Sequence, residues 1–131
     1  MEQKLVLSVL PEVFAIVRLE PDAGVPEWCD VQGSTFTSIT RTSDELAIVC
    51  PQEYVPSNAK VEKDWQAFKV EGQLGFSVNG IVESLAKILA DVDVSILFIS
   101  TYDTDYVFVK QEKLEIAIKA LSEVCDVREV A

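Results

Sequence analysis

The chain has no histidine, a single methionine, three cysteines, and 11 basic residues against 22 acidic ones. Without histidine it lacks the commonest metal ligand and the one side chain that titrates unaided near neutral pH. A zinc centre would have to draw on Cys29, Cys50 and Cys125, which are far apart, odd in number and without CxxC spacing. That pattern excludes a zinc ribbon and a disulfide framework, and all three read as buried packing residues. The deficit of positive charge is even along the chain: four basic against nine acidic residues over 1–61, and seven against thirteen over 62–131. No basic face is left for nucleic acid or an anionic membrane. Long hydrophobic runs are missing too. The apolar stretch after Glu2-Gln3-Lys4 is too short for a secretory core or a bilayer span, so the expectation is a cytoplasmic protein.

What is present is the material of a folded protein. With 49% hydrophobic and 25% charged residues, the 131-residue chain is too apolar to be disordered. Its length fits one ordinary domain or two very small ones. Leu5–Leu10, stopped by Pro11, and Val13–Leu19 read as buried strands. Residues 20–33 hold Pro21, Gly24, Pro26 and Gly33, too much punctuation for a long helix. A short helical turn fits at 26–31, with proline at its start and Trp28 filling a gap under the loop. Thr35–Thr42 and Glu45–Cys50, joined by Ser43-Asp44, read as a hairpin. Pro51 stops it, and the turn-rich stretch to Asn58 leads to a domain boundary placed after residue 61.

The second half reads strand, helix, strand, strand, helix, strand. Trp65–Gly72 is the first strand. Ile81, Val82, Leu85, Ile88 and Leu89 form one helical stripe opposite Glu83, Lys87 and Asp91. Val94–Ile99 is apolar on both sides, as expected of a central strand, and Tyr106–Lys110 returns antiparallel to it. Leu114, Ala117, Ile118 and Leu121 mark the last helix, with Glu112 in its first turn and Ile116 off the stripe. Cys125–Val130 closes the sheet. The order βαββαβ is the ferredoxin-like α+β arrangement, two helices on one face of a four-stranded sheet. The other face needs cover from the first half or from a second copy of the chain.

Chemistry concentrates between Gly75 and Lys110. A helix starting near Asn79 or Gly80 presents backbone N–H groups and partial positive charge, which suit a carboxylate. The turn Ser100-Thr101-Tyr102-Asp103-Thr104-Asp105 presents hydroxyls and two carboxylates, which suit an ammonium. Together they describe a binder of zwitterions. The plainer reading is that Gly80 starts a helix and the two acids shape a hairpin. Catalysis has little to work with, since only Asp103 and Asp105 cluster, and they alternate along the turn. An acylphosphatase-like hydrolase would need an arginine in the loop Val70–Phe76, but none occurs between Arg41 and Arg128. An RNA-binding sheet fails on charge and on its strand pattern.

The run FISTYDTDYVFVK, with Gly75-Phe76 and Gly80-Ile81-Val82 ahead of it and QEKLEIAIKAL behind, resembles the ACT-domain family. The likeness is greatest to the branch of small bacterial two-ACT proteins and the animal CASTOR arginine sensor. It covers Trp65–Lys119 and extends more weakly to SITRTSDELAIVC in the first half. It implies tandem ferredoxin-like ACT units, the first (1–61) reduced in helix and the second (62–131) complete. It also implies a non-catalytic sensor without cofactor or metal, binding a free amino acid at an interface between ACT units. The matching ligand positions are Gly80, Ile81 and Val82 at the helix start and Thr101, Tyr102 and Asp105 in the hairpin. Two residues before the helix glycine the sensor carries an acid, whereas this chain has Val78, which removes one counter-charge and leaves a neutral amino acid at least as good a fit as arginine. With about two units where the sensor has four, the resemblance implies a homodimer. The alternative is an ACT-type module that binds a protein partner and no small molecule.

Overall fold

The computed structural model describes residues 5–71 and 78–129. The glycine loop at 72–76 and the end of the closing strand at Val130 lie outside the described residues, as do the side chains of Val78 and Asn79. The strands are β1 (Leu5–Val9), β2 (Phe14–Leu19), β3 (Ser38–Arg41), β4 (Leu46–Pro51), β5 (Lys60–Glu71), β6 (Ile96–Ser100), β7 (Asp105–Lys110) and β8 (Cys125–Arg128). The helices are α1 (Val78–Asp91) and α2 (Leu114–Ser122), with short 3₁₀ turns at Glu27–Cys29, Gln52–Tyr54 and Gln111–Lys113. The architecture is mixed α+β, a tandem of ferredoxin-like units. Glu112 belongs to the 3₁₀ turn that leads into α2.

Two compact units divide the chain: Glu12–Trp65, and Met1–Pro11 with Gln66–Ala131. By this division β1 groups with the last part of the chain, and β5 runs from one unit into the other. In the Glu12–Trp65 unit, β3, β4, β2 and the first part of β5 pair antiparallel in that order. Its core joins Val17, Cys29, Leu46, Ile48 and Cys50, with Trp28 packed against them. Segment 20–33 contributes one 3₁₀ turn and no α-helix, so this unit is a sheet without the usual helical layer.

β5 changes character where it passes from one unit to the other. Its register against β2 shifts between Phe14 and Ile16, and Asp64 adopts φ 69°, a left-handed conformation that aspartate tolerates better than most residues. Gln52 holds the bulge from both sides. Its Nε2 donates to Asp64 Oδ1 at 3.0 Å, and its Oε1 accepts from the Asp64 N–H at 2.6 Å.

In the other unit, β5, α1, β6, β7, α2 and β8 supply the βαββαβ order. β1 adds a fifth strand, antiparallel to β5 (Val6 opposite Glu71) and parallel to β8 (Leu5 opposite Cys125). Ile81, Leu85 and Leu89 of α1, with Ala117 and Leu121 of α2, pack on Leu7, Phe68, Val70, Val107 and Val109 of the sheet. Each fully buried leucine or phenylalanine here contributes about 1.5–3 kcal/mol. At its C-terminal end α1 stops in a left-handed residue, Asp93 at φ 61°, while the Val94 N–H returns to Leu89 O at 2.9 Å. β6 departs from the sequence reading. It pairs with β7 alone among the described residues, so the strand expected at the centre lies at an edge.

Burial, reinforced by the neighbouring Cys29, pushes the Cys50 thiol up to about 11 from 9.0. The folded protein keeps this proton where the unfolded chain releases it. The associated stability is therefore present below about pH 9 and is lost as pH rises toward 11. Urea unfolding across this window is expected to show a steeper loss in the native protein than in Cys50→Ala. Parallel curves would contradict the assignment.

Candidate functional site

The hairpin between β6 and β7 is organised by threonines. Thr101 N–H donates to Thr104 O at 2.8 Å, Thr101 Oγ1 donates to the same carbonyl at 3.1 Å, and Thr104 N–H donates to Thr101 Oγ1 at 3.3 Å. This is a serine/threonine turn, in which a hydroxyl substitutes for a backbone group. The Thr104 side chain itself points inward, only 8% exposed, and its hydroxyl donates to Val70 O at 2.6 Å. Val70 is the penultimate residue of β5. The bond therefore fixes the hairpin tip at the end of the sheet where β5 finishes and the chain continues toward α1.

Asp105 follows at once and is 2% exposed. Its Oδ1 accepts from Ser100 Oγ at 2.5 Å, while its Oδ2 is buried with no hydrogen-bond partner among the described residues. A buried carboxylate oxygen without a donor is costly. Asp103, two residues earlier, is exposed, so the two acids face different ways and do not form a catalytic pair.

At the same end of the sheet α1 begins, at Val78, two residues before Gly80. Its first turn, Val78-Asn79-Gly80-Ile81, contains no acidic residue, so no side-chain carboxylate there offsets the positive end of the helix dipole. Gly80 is exposed, Val82 half-buried, and Ile81 is 2% exposed within the core. Thr101 is exposed and Tyr102 is fully exposed, at 103%. The fold thus brings the helix start and the hairpin to one end of the sheet. Of the six positions picked from sequence, only Asp105 presents a buried polar side chain.

Two features lie outside those six positions. One is Thr104: nothing local distinguishes an inward-facing turn threonine from a solvated one, because its partner Val70 is 34 residues away. The other is a mainly apolar cleft of about 370 Å³ beside α1, lined by Leu5, Gly80, Ile81, Leu85, Ile88 and Cys125 among others. It assembles from three separate stretches of chain. It includes Gly80 and Ile81 but none of the hairpin residues.

Among the described residues no group of three or more His, Cys, Asp or Glu side chains could hold a metal ion, and no helix is long and apolar enough to cross a membrane. Burial raises the Cys29 thiol, with the charge of Asp30 adding to it, as burial raises that of Cys50. Both are thereby held away from the nucleophilic thiolate form.

A ferredoxin-like scaffold of the regulatory kind is the class this fold defines. The chain belongs to the ACT-domain family. The family model described as the ACT domain matches residues 60–123, and a second, described as an N-terminal domain, matches 12–58. The crystal structure of protein Atu0741 from Agobacterium tumefaciens is similar over 99% of this chain and 96% of its own, with TM-score 0.90 and 32% identity. The cytosolic arginine sensor for mTORC1 subunit 1 of Homo sapiens is 30% identical over 107 residues, which is 72% of this chain and 32% of the sensor. The chain thus spans about a third of the length of that relative. The regulatory subunit of aspartate kinase from Thermus thermophilus shares the fold, with TM-score 0.59 at 13% identity over 86% of this chain and 93% of its own.

Replacing Thr104 with valine keeps the side chain's shape but leaves Val70 O without this donor. It is expected to destabilise the protein by about 1–3 kcal/mol in chemical denaturation. A loss below about 0.5 kcal/mol would mean that the bond does not hold the hairpin in place.

Proposed function

We propose that this chain is a non-catalytic regulatory protein of the cytosol that binds a free amino acid at the hairpin end of its helix-bearing unit, acting as a homodimer. Asp105 carries the reading. A buried carboxylate with one oxygen held by Ser100 and the other lacking a donor has the form of a receptor for an ammonium group. The start of α1, whose first turn contains no acid, supplies the complementary end, where the helix dipole favours the ligand carboxylate. Backbone of Gly80, Ile81 and Val82, with Thr101 and Tyr102 closing over the hairpin side, would complete the site. One buried acid matches the single ammonium of a neutral amino acid. The sequence places valine, not an acid, at position 78, so a second cationic group on the ligand would lack that counter-charge. The arginine named for the animal sensor supports amino-acid binding as a class.

Binding to the folded form alone raises stability with ligand concentration, by about 2.7 kcal/mol at one hundred times Kd. A thermal-shift panel over the twenty amino acids is expected to show a concentration-dependent rise in Tm for one or a few neutral ones, lost in Asp105→Asn while the variant stays folded. A panel flat at millimolar concentrations would reject the proposal. It would instead favour a module that binds another protein without a ligand, the reading that the fully exposed Tyr102 supports.

A further inference from the structure

The cleft of about 370 Å³ beside α1 has no part in the amino-acid site. Its lining belongs to one compact unit: Leu5 from the start of β1, residues of α1, and Val124 and Cys125 where α2 gives way to β8. The volume falls at the low end of the range of about 300–1,000 Å³ typical of small-molecule sites. Two rows run along the α1 wall. Ile81, Leu85 and Ile88, spaced i, i+4 and i+7, form an apolar row that belongs to the core cluster or packs against it. Ser84, Lys87 and Asp91, spaced i, i+3 and i+7, form a polar row, and all three are exposed. The lining from outside α1 is apolar, and Val124 in it stands 55% exposed. An exposed valine and a half-buried isoleucine in one concavity leave apolar surface for a ligand to cover.

We propose that this cleft binds a small monocarboxylate with an aliphatic or single-ring body. The body covers Leu85, Ile88 and Val124, and the carboxylate sits at Ser84 and Lys87. The order of the polar row decides the sign of the head group. Donors come first, Ser84 and then Lys87, and the acceptor Asp91 comes last, a turn nearer the negative end of the helix. Lys87 Nζ donates to Asp91 Oδ2 at 3.1 Å. A lysine ammonium has three donors, so Lys87 can keep that pair and still receive a carboxylate on its Ser84 side. A cation in the same place would meet the Lys87 charge, with only the already paired Asp91 to offset it. The charge count also limits the ligand to one negative group. The chain carries −11, and Glu83 stands exposed on the same helix, so a second carboxylate is repelled. No hairpin residue lines the cleft. The site needs neither Asp105 nor a second copy of the chain, and it does not depend on the amino-acid reading.

Hexanoate is the probe. In methyl-detected NMR of the native protein it is expected to shift Leu85, Ile88 and Val124 saturably, while acetate, which lacks the apolar body, shifts none of them. Hexylamine and leucine have apolar bodies but a positive or a balanced head, and are expected to bind the cleft about tenfold more weakly. In calorimetry Lys87→Met is expected to weaken hexanoate binding by about tenfold, and Asp91→Asn, which releases Lys87, to strengthen it. Both side chains are exposed, so both variants are expected to keep the native Tm, and the comparison of ligands on the native protein needs neither. Hexanoate shifts that never saturate, saturable shifts away from the cleft, equal affinity for hexylamine or leucine, or an affinity unmoved by Lys87→Met would each overturn the assignment. Saturable hexanoate shifts in the cleft uphold it even where the amino-acid panel is flat.

Discussion

One hydrogen bond sets the geometry on which the functional reading depends: Thr104 Oγ1 to Val70 O, 2.6 Å and buried. It joins the β6–β7 hairpin to the last residues of β5, and so brings the only buried acid among the described residues to the end of the sheet from which α1 departs. There a carboxylate is held in a 2% exposed position by one hydroxyl. The desolvation of its second oxygen is a standing cost that a cationic ligand group would relieve.

The helix-bearing unit is stabilised by the apolar faces of α1 and α2 packed on a sheet of β5, β6, β7 and β8, with β1 threaded between β5 and β8. That insertion makes the first residues of the chain part of the unit formed mainly by its last half. It also gives Leu5 a place in the cleft beside α1. The Glu12–Trp65 unit has no α-helix to cover its strands, and uses the loop carrying Cys29 and Trp28 in that role. The bulge at Asp64, gripped by Gln52, interrupts β5 near the end of that unit.

Much of this was legible in the sequence because it is local. The stripe of Ile81, Leu85, Ile88 and Leu89 announces a helix lying on a sheet, the Ser43-Asp44 turn announces a hairpin, and the proline and glycine spacing of 20–33 rules out a helix there. What could not be read is non-local pairing. An apolar pentapeptide looks the same at the centre of a sheet as at its edge, so β6 was misplaced. Nothing within Leu5–Val9 records that its partners are 60 and 120 residues away. The site divided along the same line. Family likeness pointed to Gly80, Ile81, Val82, Thr101, Tyr102 and Asp105 as candidates, but it cannot give side-chain orientation: Ile81 is buried in the core, Tyr102 is fully exposed, and Thr104 is buried. The inward turn of Thr104 follows from its bond to Val70 of β5, which no short window of sequence encodes.

The central claim is that the hairpin acid and the helix start serve one small zwitterionic ligand. Its most direct test is residue-level NMR of the native protein titrated with individual amino acids. Saturable shifts confined to Gly80–Val82 and Ser100–Asp105, with a change at the Asp105 carboxyl carbon, are the predicted result. Shifts at only one of the two segments, or saturable shifts only in the cleft near Ile88 and Cys125, would contradict it.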